Sequence, residues 1–113
     1  MHEVSLAGGI LKVVEQARLR DPFEHVTHLR LQAGALSGVE VSALRFALES
    51  IAPGTCLERA VIDIDKQPGT AWCLPCGQTV NIQSRLDNCP VCGSAQLQPT
   101  GGTELKVLDL RVV

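Results

Sequence analysis

The chain has no tyrosine, one tryptophan, two phenylalanines and one methionine in 113 residues. A core must therefore be built from aliphatic side chains. Charge of one sign is lacking too: ten Lys and Arg against twelve Asp and Glu leave a net charge of −2. That balance excludes the polybasic footprint of a nucleic-acid binder or an anionic membrane surface. No apolar run approaches the ~20 residues that cross a bilayer. Met1-His2-Glu3-Val4 carries no basic n-region of a secretory signal. The expected compartment is cytoplasmic, with no nucleic-acid and no membrane partner. No Ser/His/Asp set or paired-carboxylate arrangement is visible either, so an enzyme is not expected. What remains is a 45% hydrophobic chain, enough for one compact domain with a small insert.

Cysteine is what the chain does have. Cys73-Leu74-Pro75-Cys76 and Cys89-Pro90-Val91-Cys92 are separated by twelve residues, and each pair is followed by glycine, Gly77 and Gly93. In a reducing compartment such pairs bind metal or do redox work. Two thiolates three positions apart in a tight turn reach one ion, and a second such turn completes a tetrahedron. Glycine after the second cysteine supplies the positive φ such a turn tends to need. Four thiolates leave no open coordination position, so zinc there is structural; iron also accepts tetrahedral sulfur and stays open as an alternative. A redox dithiol normally comes as a single pair. Cys56 has no partner at this spacing and reads as a small buried apolar residue.

Val4, Ala7, Ile10, Leu11, Val14 and Ala17 recur at helical spacing and predict a helix over 3–20, ended by Asp21-Pro22. Gly8-Gly9 within it costs helix stability, which points to close packing at that turn. Residues 25–33 alternate as a strand, with Leu29, Leu31 and Ala33 on one face. Ser37-Gly38-Val39-Glu40 fits a capping box, Ser37 capping and Glu40 reaching back. It opens a second helix that runs to Ala52 and buries Val41, Leu44, Leu48 and Ile51. A second strand over 59–66 turns Ala60, Ile62 and Ile64 inward, Asp63 and Asp65 outward. The third strand, 104–113, changes apolar phase between Val107 and Leu108, which suggests a bulge or burial on both faces. The expectation is an α+β fold: two helices on a three-stranded sheet, with an inserted four-cysteine zinc-ribbon domain. The domains are 1–68 plus 103–113, and 69–102.

Met1-His2-Glu3 is the second chemical feature. The terminal amine, the His2 amide nitrogen and the His2 imidazole close adjoining chelate rings, and Glu3 offers a fourth donor; nitrogen in a plane suits Ni(II) or Cu(II). The same residues also read as an exposed helix start, with Glu3 complementing the dipole. His25 and His28 flank the first strand as surface residues.

Taken in order, Met1-His2-Glu3-x-Ser5-Leu6, Gly34-Ala35-Leu36-Ser37-Gly38-Val39-Glu40, the two cysteine knuckles and Gly101-Gly102-Thr103-Glu104-Leu105 resemble the HypA/HybF family. These are nickel metallochaperones of [NiFe]-hydrogenase maturation, and the resemblance covers essentially the whole chain. It implies transient Ni(2+) bound by Met1 (amine), His2 (amide and imidazole) and Glu3 (backbone amide), with Glu40 in a supporting position. It implies structural Zn(2+) on Cys73, Cys76, Cys89 and Cys92. Partners implied are a hydrogenase maturation GTPase and the [NiFe]-hydrogenase large-subunit precursor, with the protein itself a monomer or weak homodimer. Some members carry histidines beside the knuckles that tune zinc with pH; residues 69–102 hold none. A zinc-ribbon module for nucleic acid or protein interaction is the alternative. It is weakened by a single basic residue, Arg85, and a single aromatic, Trp72, in that segment.

Overall fold

The computed structural model describes residues 3–113 and the backbone of His2. Its elements are α1 (His2–Arg20), β1 (Val26–Gly34), α2 (Val41–Ile51), β2 (Val61–Gln67), β3 (Gly69–Cys73), β4 (Gln78–Ile82), β5 (Leu97–Gly101) and β6 (Leu105–Val112). They form two three-stranded sheets, ordered β2-β1-β6 and β4-β3-β5. The α+β expectation holds: two helices, a first sheet made of the three anticipated strands, and the cysteine segment as an insertion between β2 and β6. Among the described residues no helix is long and apolar enough to cross a membrane.

The chain divides into two compact units. The first comprises 1–31, 40–64 and 107–113; the second comprises 32–39 and 65–106. In the first, the aliphatic core forecast by the lack of aromatics is what forms: Ala7, Ile10 and Val14 of α1, Leu44, Ala47 and Leu48 of α2, Val26, Leu29 and Leu31 of β1, and Ile62 of β2 are all buried. Helical spacing brings the α1 and α2 residues to one face each. Period-two alternation does the same for β1 and β2. The end of α1 is tied down by Arg18, whose Nε donates to the Phe23 carbonyl at 2.8 Å while its guanidinium lies over the Phe23 ring. Cys56 is buried as expected, and its thiol donates to Glu15 Oε1 at 3.6 Å. Burial first, and the Glu15 carboxylate next, push the Cys56 thiol pKa up, so it stays protonated and inert.

Two local expectations are corrected. Ser37 does not cap α2. Its hydroxyl donates to the Gly34 carbonyl at 2.6 Å and accepts from the Val39 N–H at 3.3 Å, which closes the turn after β1. The helix starts at Val41, and Glu40 is its N-cap, with extended backbone (φ −85, ψ 108) and a side chain that accepts from the Ser42 N–H at 2.9 Å. A carboxylate in that position satisfies an orphan N–H and faces the positive end of the helix dipole. Nor do Gly8 and Gly9 serve close packing: both are exposed, and a Cβ on either would meet nothing within 4 Å.

These two glycines therefore carry the entropic cost of a flexible backbone without a compensating contact. Gly8→Ala and Gly9→Ala should each stabilise the protein by about 0.5–1 kcal/mol, which raises the melting temperature by roughly 4–8 °C per kcal/mol. A thermal melt in which the double variant is no more stable than the parent would show that one of these positions is covered in solution.

Candidate metal centre

The second unit is built around sulfur. β3 pairs antiparallel with β4, setting Cys73 opposite Gln78 and Ala71 opposite Val80. β5 lies on its other side, with Cys73 opposite Leu97. Alternation along β3 and β4 sends Ala71, Cys73, Val80 and Ile82 to one face, where they pack with Cys89. Each cysteine pair is folded by the same device. The Gly77 N–H donates to the Cys73 carbonyl at 2.9 Å, and the Gly93 N–H donates to the Cys89 carbonyl at 2.8 Å. Both glycines stand at positive φ, +63 and +77, which a side chain would resist.

These turns bring Cys73, Cys76, Cys89 and Cys92 together with all four sulfurs within 4.8 Å of one another. Cys73 Sγ lies 3.6 Å from Cys92 Sγ, and Cys76 Sγ lies 4.0 Å from Cys89 Sγ. A tetrahedral zinc–thiolate site, with Zn–S near 2.3 Å, has sulfur–sulfur edges of about 3.8 Å. The donor set therefore fits one tetrahedral ion. The backbone also favours thiolate at one corner: the N–H groups of Cys92 and Val91 donate to Cys89 Sγ at 3.5 and 3.4 Å. They draw the Cys89 thiol down to about 6, the Cys92 N–H contributing most. The adjoining Cys92 sulfur, then burial, push Cys76 up to about 12, and burial raises Cys73.

The apolar packing around this cluster is thin. Val80 and Ile82 are buried and Leu97 packs against them, but Leu74, Leu86 and Val91 are exposed. The missing apolar volume comes from Leu36, in the turn after β1, which is buried in the same cluster as Cys73 and Cys89. The turn is held there by Leu36 N–H donating to the Gly102 carbonyl at 2.8 Å and by Arg85 Nη2 donating to the Leu36 carbonyl at 3.3 Å. It approaches so closely that a Cβ on Gly34 would stand 2.0 Å from the Gly102 oxygen. Nothing in the sequence marked Leu36 as belonging to the metal cluster; only its apolar character in a polar turn could have done so.

The other predicted site residues divide. Met1 and the His2 side chain lie outside the described residues. Glu3 stands in the first turn of α1, and its Oε2 accepts from the Glu40 N–H at 3.3 Å. Glu3 and Glu40 are thus brought together, by a contact that spacing along the chain could not reveal.

Two helices on one sheet, with a four-cysteine ribbon inserted before the last strand, define a small metal-binding protein of the α+β class. The HypA family pattern, described as hydrogenase/urease nickel incorporation, metallochaperone, matches residues 1–112. Hydrogenase maturation factor HypA of Polaromonas naphthalenivorans is 58% identical over 112 residues, which cover 99% of this chain and 97% of that protein. Its counterpart in Cupriavidus necator is also 58% identical, over 99% of this chain and 94% of that one. The solution structure of the Ni metallochaperone HypA from Helicobacter pylori superposes with a TM-score of 0.68 at 18% identity, over 98% of this chain and 97% of that one; that likeness is one of fold. The chain belongs to the HypA family, the nickel metallochaperones of hydrogenase maturation.

Two outcomes follow from this geometry. A ligating thiol must first lose its proton, and Cys73 and Cys76 are both held protonated at neutral pH. At least two protons should leave on metal binding, so affinity at the cluster should fall by about 100-fold for each pH unit of acidification near neutrality. Competition titrations against a chelator of known proton stoichiometry measure that slope. Leu36→Ala should destabilise the ribbon unit by about 2–5 kcal/mol through the cavity it leaves, visible as faster amide exchange over 69–102.

Proposed function

We infer that this protein is a carrier and not a catalyst: a cytoplasmic metallochaperone that takes Ni(II) at its N-terminus and passes it to the [NiFe]-hydrogenase large-subunit precursor, alongside a maturation GTPase. Cys73, Cys76, Cys89 and Cys92 hold a structural zinc ion. The nickel donors are the Met1 amine, the His2 amide nitrogen and imidazole, and the Glu3 amide nitrogen.

The observation that carries the terminal site is where α1 begins. The helix starts at His2, so the amides of His2 and Glu3 are among the first four, which have no intrahelical acceptor. Deprotonating them for nickel breaks no rung of the helix, and the positive end of the macrodipole favours the negative charge they acquire. The two centres then have opposed chemistry. Four thiolates saturate their ion and lock it, whereas a planar nitrogen set at a chain end exchanges readily. A nucleic-acid role for the ribbon is disfavoured by how its two charges are used. Arg85 binds the Leu36 carbonyl, and Asp87 accepts from the N–H groups of Gln83 and Ser84 at 2.8 and 3.2 Å. Both are spent inside the unit.

Acetylating the terminal amine, or substituting His2→Ala, should abolish nickel uptake and leave one zinc per chain, as read by metal analysis after Ni(II) loading and desalting. Each donor must lose its proton to bind nickel, so uptake should weaken as the pH is lowered. Equal nickel loading by capped and uncapped protein would refute the terminal site.

A further inference from the structure

We propose that the cysteine cage is also a site of oxidation by hydroperoxides: Cys92 is the thiol that reacts first, and Cys73 then closes on it as a disulfide that joins the two knuckles in place of a metal. Oxidation there goes beyond nickel carriage and does not depend on the terminal site. The four sulfurs are unequally covered. Cys73 is 0% and Cys89 3% exposed, Cys76 is half-buried, and Cys92 is exposed. The chain around Cys92 is open as well, with Pro90, Val91 and Gly93 all exposed. A small oxidant arriving from solution therefore meets Cys92 Sγ before the others, and thiol oxidation follows exposure. Cys89 Sγ is covered, and the N–H groups of Val91 and Cys92 already donate to it at 3.4 and 3.5 Å.

The chemistry balances in two steps. The Cys92 thiol and a hydroperoxide give a sulfenic acid and an alcohol (water, for hydrogen peroxide); sulfur loses two electrons and the O–O bond breaks. The Cys73 thiol then attacks the Cys92 sulfur. The S–S bond forms, and the hydroxyl leaves with the Cys73 proton as water. Distance selects the resolving thiol. Cys73 Sγ lies 3.6 Å from Cys92 Sγ, so a bond of about 2.05 Å needs only about 1.5 Å of further approach. Cys73 is fixed on the central strand β3, opposite Gln78 on one side and Leu97 on the other. Cys92 stands in an exposed turn, so it is the sulfur that travels. Cys76 and Cys89, 4.0 Å apart, are placed to form a second bond of the same kind. The Cys73–Cys92 bond spans 19 residues. A link of that span restrains the unfolded ribbon far more than one between cysteines of a single knuckle. Oxidation thus withdraws two thiolates from the ion and leaves the ribbon tied by a covalent bond.

The native protein, its metal content measured, is treated with hydrogen peroxide and digested with trypsin without reduction. A parallel sample contains dimedone to trap sulfenic acid. Cleavage after Lys66, Arg85 and Lys106 leaves Cys73 and Cys76 on one peptide and Cys89 and Cys92 on another. A Cys73–Cys92 bond joins two peptides, whereas a bond within a knuckle joins none. The joined pair should appear, with tandem mass spectrometry placing the bond at Cys73 and Cys92. The earliest dimedone adduct should sit on Cys92. Metal should be lost from each chain in which the bond forms, and binding should return after reduction with dithiothreitol. Cys56, buried beside Glu15, should stay unmodified. Bonds confined to single knuckles, a first adduct on any other cysteine, overoxidation of Cys92 without a disulfide, or metal retained after the bond has formed each overturn the assignment. If the purified protein holds no zinc and the joined peptides still form at Cys73 and Cys92, the zinc reading fails and the oxidation site stands.

Discussion

Four sulfur atoms held within 4.8 Å of one another are the constraint on which the second unit depends. Without a cation they oppose each other: crowding and burial hold Cys76 and Cys73 above the usual thiol range, while backbone N–H groups hold Cys89 below it. A divalent ion reverses the sign of that interaction, because each thiolate then faces a positive charge at bonding distance. The apolar support is small, and one of its members, Leu36, is drawn from a distant part of the chain. Where a unit has so little core, a metal held by such a cluster would contribute folding free energy; both knuckles are closed by the same glycine device.

The first unit is organised differently. Its core is aliphatic and continuous in type, from Ala7 to Ile62, and it needs no metal to bury it. At its start, α2 presents its N-terminal pole to the first turn of α1 through Glu40 and Glu3. The four sulfurs belong to the second unit alone.

Periodicity and spacing determined a great deal by themselves. The helices, the three strands of the first sheet and the four cysteines with their glycines were legible because each depends on residues close in sequence: period 3.6, period two, and a four-residue turn. The family was legible for the same reason, as ordered local motifs. Tertiary structure alone decided the rest. Leu36 enters the cysteine core because Gly34 and Gly102 allow two backbones to touch. Glu40 caps α2 in place of Ser37 because its extended backbone points its own carboxylate at Ser42. Gly8 and Gly9 face solvent although their pairing suggested a contact. The Glu3–Glu40 hydrogen bond joins residues 37 apart in sequence. A turn or a cap can be written locally, but which backbone approaches which is fixed only when the chain has folded.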